Sequence, residues 1–198
     1  MDEKFKSGFV SIIGRTNVGK STIINALVGE KVAAVANKVQ TTRTAIKGIV
    51  NRPNSQIIFI DTPGIHKPKS KLSETMVETA FIFTKDVDVI VFVIDGTSSE
   101  IGRGDSKILE KIKEAKLQTI LAINKIDMVQ NKEDLLKLIN LYQNEYDFTA
   151  VVPISAAKKD NLETLFTEIE KNLKERTCIL WYWRIYRSNN KTISWRNY

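Results

Sequence analysis

Cysteine and histidine are almost absent from this chain of 198 residues, which has one of each. A single cysteine, Cys178, excludes an intramolecular disulfide and a metal site built on cysteines. Long apolar runs are also lacking, since the longest, Val89 to Ile94, is far too short to span a bilayer. The segment after Met1 has no apolar stretch of the kind found in signal peptides. We therefore expect a cytoplasmic protein.

The net charge of +7 is concentrated at the end of the chain. Residues 176–198 contain five basic and no acidic residues, together with all three tryptophans. The first 175 residues are nearly balanced, with 25 basic and 23 acidic groups. This break in composition predicts one globular domain over residues 1–175 and a basic, aromatic tail of different origin over residues 176–198.

Short apolar segments alternate with amphipathic ones along most of the chain. This pattern predicts an α/β fold with a six-stranded, mostly parallel sheet and helices on both faces. The exception to parallel pairing is the segment 45–50, which forms a predicted hairpin with 56–60, and residues 30–44 are predicted to be a loop. The other predicted strands are 9–13, 87–94, 119–123 and 150–154; the predicted helices are 20–28, 73–83, 106–116, 132–142 and 162–173.

Residues 14–21 have the pattern G-x-x-x-x-G-K-[ST] between a predicted strand and a predicted helix. Glycines allow the backbone to wrap a phosphate with its amides inward, and the helix N-terminus adds positive charge. This context favours a phosphate-binding loop of a P-loop NTPase over an ordinary glycine turn. Lys20 is predicted to reach the β- and γ-phosphates and Ser21 to bind Mg²⁺. The predicted nucleotide contacts here are Gly14, Arg15, Thr16, Asn17, Val18, Gly19, Lys20, Ser21 and Thr22.

Asn17 has two interpretations. Loop asparagines usually stabilise turns. In some GTPases of the translation-factor-related class, an asparagine at this loop position binds K⁺ beside the phosphates. Both interpretations stay open.

A second loop, Asp61-Thr62-Pro63-Gly64, follows the predicted strand 56–60. Asp61 would project at the carboxyl end of that strand and hold Mg²⁺ through water. Gly64 would donate its N–H to the γ-phosphate. Before this loop, the pair Thr41-Thr42 offers a hydroxyl for Mg²⁺ and the γ-phosphate, and Thr42 is favoured. Lys20, Thr42 and Gly64 are the predicted catalytic residues.

The residue after Gly64 is Ile65, where Ras-like enzymes have a glutamine that orients water. An isoleucine makes no hydrogen bond through its side chain. We therefore expect slow intrinsic hydrolysis, or help from another group, an ion or a partner. The neighbouring His66 is interpreted as a solvated loop residue rather than a catalytic base.

The segment Asn124-Lys125-Ile126-Asp127 predicts the base that is bound. The Asp127 carboxylate can accept hydrogen bonds from guanine N1–H and the N2 amine, donors that adenine lacks. The Lys125 stem would lie across the base, and Asn124 would connect this segment to the phosphate loop. A backbone N–H of Ser155, Ala156 or Ala157 would bind guanine O6. GTP and GDP are thus favoured over ATP.

Residues 5–175 closely resemble the Era family of bacterial GTPases. The resemblance is carried by residues 14–22, by Gln40-Thr41-Thr42-Arg43, by residues 61–68 and by residues 86–90. It implies GTP and GDP binding with Mg²⁺, slow hydrolysis, and association with 16S rRNA and the 30S subunit during ribosome assembly. A monomer is implied, and peripheral association with the inner face of the membrane stays open. The alternatives are a nucleotide-binding fragment without RNA-coupled function and the G domain of a tRNA-modification GTPase.

In the Era family a C-terminal KH domain holds the RNA, and this chain has no segment that resembles it. Residues 176–183 also depart from the Gly-Pro and aromatic pair expected there. Our hypothesis is a frameshift near codon 175 or 176, which the coding DNA would test. The alternative is a native aromatic and basic arm, a composition that can stack on single-stranded nucleic acid.

Overall fold

The computed structural model describes residues 5–29, 40–41, 44–61 and 87–179. Seven strands form one sheet in the order β2-β3-β4-β1-β5-β6-β7. The strands are β1 (Lys6–Ile13), β2 (Gln40–Thr41), β3 (Thr44–Arg52), β4 (Ser55–Asp61), β5 (Val89–Asp95), β6 (Thr119–Asn124) and β7 (Ala150–Pro153). The described helices are α1 (Lys20–Val28), α2 (Arg103–Ala115), α3 (Lys132–Glu145) and α4 (Leu162–Lys171), with a short 3₁₀ turn at Ile126–Met128.

Five neighbouring strands are parallel, namely β4, β1, β5, β6 and β7. At one edge of the sheet, β3 pairs antiparallel with β4 and β2 pairs antiparallel with β3. Strands β5 and β6 are almost continuously apolar because helices cover both of their faces. After β1 the chain first forms the strands on one side of β1, ending with β4, and it then forms β5 on the other side of β1. This reversal is a topological switch point, and ligands bind at the carboxyl ends of strands beside such a point.

Two hydrophobic clusters cover the two faces of the sheet. Helices α1 and α4 contribute Ile23, Leu165, Phe166 and Ile169 to the first cluster. Helices α2 and α3 contribute residues such as Ile112 and Tyr142 to the second. The sheet is therefore held between two helical layers, and the loops at its edges are positioned by buried strands.

The predicted α/β fold with helices on both faces of a mostly parallel sheet is confirmed, and all six predicted strands are present. The hairpin member β3 is antiparallel to its neighbour β4, as predicted. One expectation needs correction: residues 30–44 are not all loop. Gln40 and Thr41 pair with Ala45 and Thr44 and add a seventh strand at the sheet edge. Two residues are too few to show an alternating pattern, so the sequence could not reveal it. The predicted helix 73–83 lies outside the described residues.

The segment that follows α4 returns to the start of β1. Glu175 forms an antiparallel bridge with Lys6, and the Ser7 hydroxyl donates to the carbonyl of Thr177 over 2.8 Å. Arg176 Nη2 lies 3.0 Å from Oδ1 of Asp88, a side chain that is only 7% exposed. Ile179 packs against the second hydrophobic cluster. The described fold thus continues at least four residues past Glu175.

These contacts predict that a chain ending after Glu175 is less stable than one ending after Ile179. The shorter chain loses the Arg176–Asp88 pair, the Ser7–Thr177 hydrogen bond and the packing of Ile179. We expect a loss of about 1–3 kcal/mol in the free energy of unfolding, measured by urea denaturation. Equal stability of the two chains would show that residues 176–179 contribute nothing to the domain.

Candidate nucleotide-binding site

The loop after β1 has a backbone that demands glycine at both of its ends. Gly14 has a φ of +147° and Gly19 a φ of +98°, values that L side chains rarely adopt. A Cβ at Gly14 would collide with the carbonyl oxygen of Val93, and one at Gly19 with the amide nitrogen of Asn124. Between them, buried Val18 anchors the loop while Thr16 and Asn17 are exposed. The loop is therefore packed against β5 and β6, and Thr16 and Asn17 are on its exposed side.

Helix α1 begins directly after this loop. Its first turn, all of which is described, carries no acidic side chain, so the positive end of the helix is not neutralised locally. The Lys20 ammonium donates to the carbonyl of Gly14 over 2.8 Å and also to that of Arg15. Ser21 and Thr22 are exposed in the same turn. Positive charge and exposed hydroxyls are thus gathered at one loop, an arrangement suited to phosphate.

Asn124 at the end of β6 joins two loops. Its side-chain amide donates to the carbonyl of Val18 over 2.8 Å, and its oxygen accepts from the N–H of Ala156 over 3.0 Å. Asn124 is only 3% exposed, so both bonds are shielded from water. The hydrogen bond predicted from Asn124 to the phosphate loop is therefore present, and a second bond extends it to residues 155–157.

Lys125 follows in a left-handed conformation, with a φ of +66°. Its ammonium lies 2.6 Å from Oδ2 of Asp95, the last residue of β5. Burial raises the pKa of Asp95, but hydrogen bonds from Lys125 and Thr97 outweigh this effect, and the net pKa is below its ordinary value. Asp95 therefore stays charged and holds the lysine stem in place beside the site.

Asp127 lies in the 3₁₀ turn after Lys125, with its side chain exposed. Its Oδ1 accepts a hydrogen bond from the Ser155 hydroxyl over 2.6 Å. That hydroxyl in turn accepts a hydrogen bond from the N–H of Lys158 over 3.1 Å. The backbone N–H and carbonyl of Ser155 are both hydrogen-bonded to the backbone of Asp160. One carboxylate oxygen of Asp127 is thus fixed by the loop after β7, which orients the carboxylate toward solvent. Ala157 is exposed in the same loop.

Several predicted site residues cannot be placed. Thr42, Thr62, Pro63 and Gly64 lie outside the described residues, as do Ile65 and His66. For Asp61 only the backbone is described, and it ends β4. Asn17 has a φ of +63°, a conformation that asparagine tolerates in turns. This backbone suits the turn interpretation and leaves K⁺ binding untested.

Two acidic residues at this edge were missed by reasoning from sequence. Asp95 holds Lys125, and Asp105 in the first turn of α2 lies 2.9 Å from the side-chain Nε of Arg15. Asp95 could have been noticed, because it ends a predicted strand as Asn124 does. Asp105 gave no signal, since it is separated from Arg15 by 90 positions in the sequence. Within the described ranges, no cluster of three or more His, Cys, Asp or Glu side chains is placed so that it could hold a metal ion.

A model of the family described as 50S ribosome-binding GTPase matches residues 9–125. This chain belongs to that GTPase family. It is 50% identical to GTPase Era of Clostridioides difficile (strain 630) over 171 residues, which covers 86% of this chain and 57% of Era. The chain therefore spans little more than half the length of that relative. The resemblance to Era seen in the motifs is confirmed.

Solved structures agree with this assignment. The crystal structure of Era in complex with MgGDPNP and nucleotides 1506–1542 of 16S ribosomal RNA is 41% identical, with a TM-score of 0.72, over 89% of this chain and 60% of that one. The FeoB G-domain from Methanococcus jannaschii is 26% identical, with a TM-score of 0.56, over 85% of this chain and 98% of that domain. In the part of the chain that the structure describes, no helix is long and apolar enough to cross a bilayer.

The substitution Asn124→Ala tests how much the two loops of this GTPase domain depend on their common hydrogen-bond partner. It leaves the Val18 carbonyl and the Ala156 N–H without that partner in a buried place. We expect a loss of about 2–4 kcal/mol in the free energy of unfolding, measured by urea denaturation.

Asn140→Ala, at an exposed position of α3, is the matched control and should change stability by less than about 0.5 kcal/mol. If the two substitutions lower the free energy of unfolding equally, the hydrogen bonds of Asn124 to the two loops do not contribute to stability as expected.

Proposed function

We propose that this chain binds GTP and GDP with Mg²⁺ and hydrolyses GTP slowly, as a nucleotide-controlled switch. One observation carries the proposal: buried Asn124 connects the loop that presents Lys20 to the loop that holds Asp127 in place. A phosphate-binding element and a base-binding element are thereby held together at one edge of the sheet. Membership of the GTPase family supports the same function.

The phosphate side rests on the backbone after β1. Gly14 and Gly19 leave room at the loop where any other residue would introduce a clashing Cβ. The exposed residues Thr16 and Asn17 and the positive end of α1 suit the charges of a di- or triphosphate. Lys20, already held over the loop by its carbonyls, would turn its ammonium to the β- and γ-phosphates.

The base side rests on Asp127 and Lys125. With Oδ1 bonded to Ser155, the Asp127 carboxylate would accept the N1–H and N2 amine of guanine. Lys125, fixed by Asp95, would place its methylene stem over the base plane. The N–H of Ala157, which is exposed in the loop after β7, would donate to guanine O6, because the N–H groups of Ser155 and Ala156 already donate to Asp160 and Asn124. Adenine would leave Asp127 without donors, so we expect a strong preference for guanine.

Mg²⁺ would be held by Ser21, exposed at the start of α1, by Asp61 at the end of β4 and by Thr42. Hydroxyl and carboxylate oxygens are the ligands Mg²⁺ prefers, and the ion would neutralise phosphate charge. Gly64 would donate its N–H to the γ-phosphate, next to Thr62 and Pro63. Asn17 is proposed either as a turn residue or as a K⁺ ligand. Slow hydrolysis follows from Ile65, whose side chain cannot orient a water molecule.

For the wider role we propose small-subunit ribosome assembly with 16S rRNA as the partner, in the cytoplasm and as a monomer. The support is the identity to Era and the 16S rRNA fragment bound in the related structure. We propose residues 1–175 as the core of the G domain and residues 176–198 as a tail of different origin, whose first four residues pack on the domain. Peripheral membrane association is a further proposal.

Replacing Lys20 tests the phosphate side. Lys20→Ala should weaken binding of GDP and GTP by about 10- to 100-fold, because charge-assisted bonds to phosphate are lost. Lys132→Ala is the matched control, since Lys132 is likewise the first residue of an α-helix but is exposed and follows a different loop. Affinities are measured by titrating a fluorescent GDP analogue. Unchanged affinity of Lys20→Ala would contradict the assignment of the loop.

Replacing Asp127 tests the base side. Asp127→Asn exchanges an acceptor for a donor, so it should weaken GDP binding by about 10- to 100-fold and strengthen binding of XDP, whose base has a carbonyl at C2. Competition titrations with GDP, XDP and ADP measure the change. Asp134→Asn, an exposed aspartate on α3, should leave all three affinities as they are. Retention of guanine selectivity by Asp127→Asn would contradict the assignment of Asp127 to the base-binding site.

A further inference from the structure

The side chain of Arg15 leaves the phosphate loop and reaches α2. Its Nε lies 2.9 Å from Oδ2 of Asp105, and one terminal nitrogen lies 3.5 Å from the Ser98 hydroxyl. On the way it crosses Gly104, where a Cβ would come within 2.9 Å of Arg15 Cδ. The loop residue next to Gly14 is therefore tied to a different element of the fold, on the second face of the sheet.

Asp105 is completely buried and has a second contact on its far side. The hydroxyl of Tyr142, itself 0% exposed on α3, donates to the same Oδ2 over 3.0 Å. Burial raises the pKa of Asp105, while Arg15 and Tyr142 oppose that rise. The contacts form a line from α3 through α2 to the phosphate loop, made by Tyr142, Asp105 and Arg15.

The line continues to Lys20 through the backbone. The carbonyl of Arg15 accepts a hydrogen bond from the Lys20 ammonium. A shift of Arg15 would therefore move one of the groups that hold the lysine over the loop. Since Arg15 is next to Gly14, the same shift would also tilt the loop backbone that is proposed to face the phosphates.

Stability alone gives little reason for this arrangement. Neither Arg15 Nε nor Asp105 Oδ1 has a well-aligned hydrogen-bond partner among the described residues, so the pair is held mainly by charge. Of the two charges only that of Asp105 is buried, since the Arg15 side chain is 37% exposed. A buried carboxylate with incomplete hydrogen bonding is costly, and an ion pair with a partly exposed partner offsets little of that cost. A role in keeping the loop in one conformation accounts for the pair better than a role in the core.

We propose that Asp105 is a positioning residue for nucleotide phosphates, which acts through Arg15 and is itself held by Tyr142. This inference rests on the proposed function, since it concerns the same loop. It predicts that loss of the Asp105 charge weakens binding through the phosphates and leaves the choice of base unchanged, because Asp127 and Ser155 are not part of the line.

The test compares Asp105→Asn with Glu110→Gln in the full chain. Glu110 lies on the same helix but is exposed, so its replacement removes an equal charge without touching the line. We expect Asp105→Asn to weaken both GDP and GTP by about tenfold, a typical size for coupled neighbours, with the GDP-to-ADP preference retained. Glu110→Gln should stay within about twofold. Titrations are made well below the melting temperature of each variant.

A double-mutant cycle with Arg15→Ala separates positioning from loss of fold. If Asp105 acts through Arg15, the double variant binds GDP no more weakly than the worse single variant. Tyr142→Phe, which keeps the ring and removes the hydroxyl, should weaken GDP by about twofold to fivefold at an unchanged GDP-to-ADP preference.

Unchanged GDP affinity of Asp105→Asn, with normal binding by the unsubstituted chain, would overturn the inference and leave the proposed function standing. Strictly additive losses in the cycle, or a loss of base preference, would also overturn it. Failure of the unsubstituted chain to bind GDP would overturn the proposed function and this inference together.

Discussion

The two hydrogen bonds of Asn124 are the constraint on which the rest of the site depends. This side chain occupies the space beside Gly19, so that the phosphate loop and the segment after β6 share one buried contact surface. Its oxygen holds the loop after β7 in the same way. Three loops that are far apart in the sequence thereby acquire one fixed spacing, and that spacing sets the distance between Lys20 and Asp127.

Around Asn124, two carboxylates hold basic side chains in fixed positions. Asp95 holds Lys125 on the base side, and Asp105 holds Arg15 on the phosphate side. Asp95 ends β5 and Asp105 lies in the first turn of α2, so one stretch of eleven residues supplies both carboxylates. Prepared side chains lose less conformational freedom when a ligand arrives, which favours affinity.

Much of this could be predicted from the sequence. The apolar strands β5 and β6 are long, buried runs between polar loops, and the glycine and lysine spacing of residues 14–21 is specific for phosphate binding when a strand precedes it and a helix follows. The two-residue strand Gln40–Thr41 is too short to leave a pattern. The Arg15–Asp105–Tyr142 line depends on side-chain directions across three elements, and no local spacing encodes such contacts. The Ser155–Asp127 bond joins two recognised motifs, yet neither motif specifies it alone.

Strand β1 connects the two ends of the domain. At its start, Lys6 pairs with Glu175 and also donates to the last carbonyls of α4, whereas its other end opens into the phosphate loop. Its eight residues span about 26 Å, with the first six paired to β4 and the last four paired to β5. Such a strand transmits displacement as a stiff rod and absorbs little of it. A load applied to the chain beyond Glu175 would therefore reach α4 through the chain itself and the start of β1 through the Lys6–Glu175 bridge.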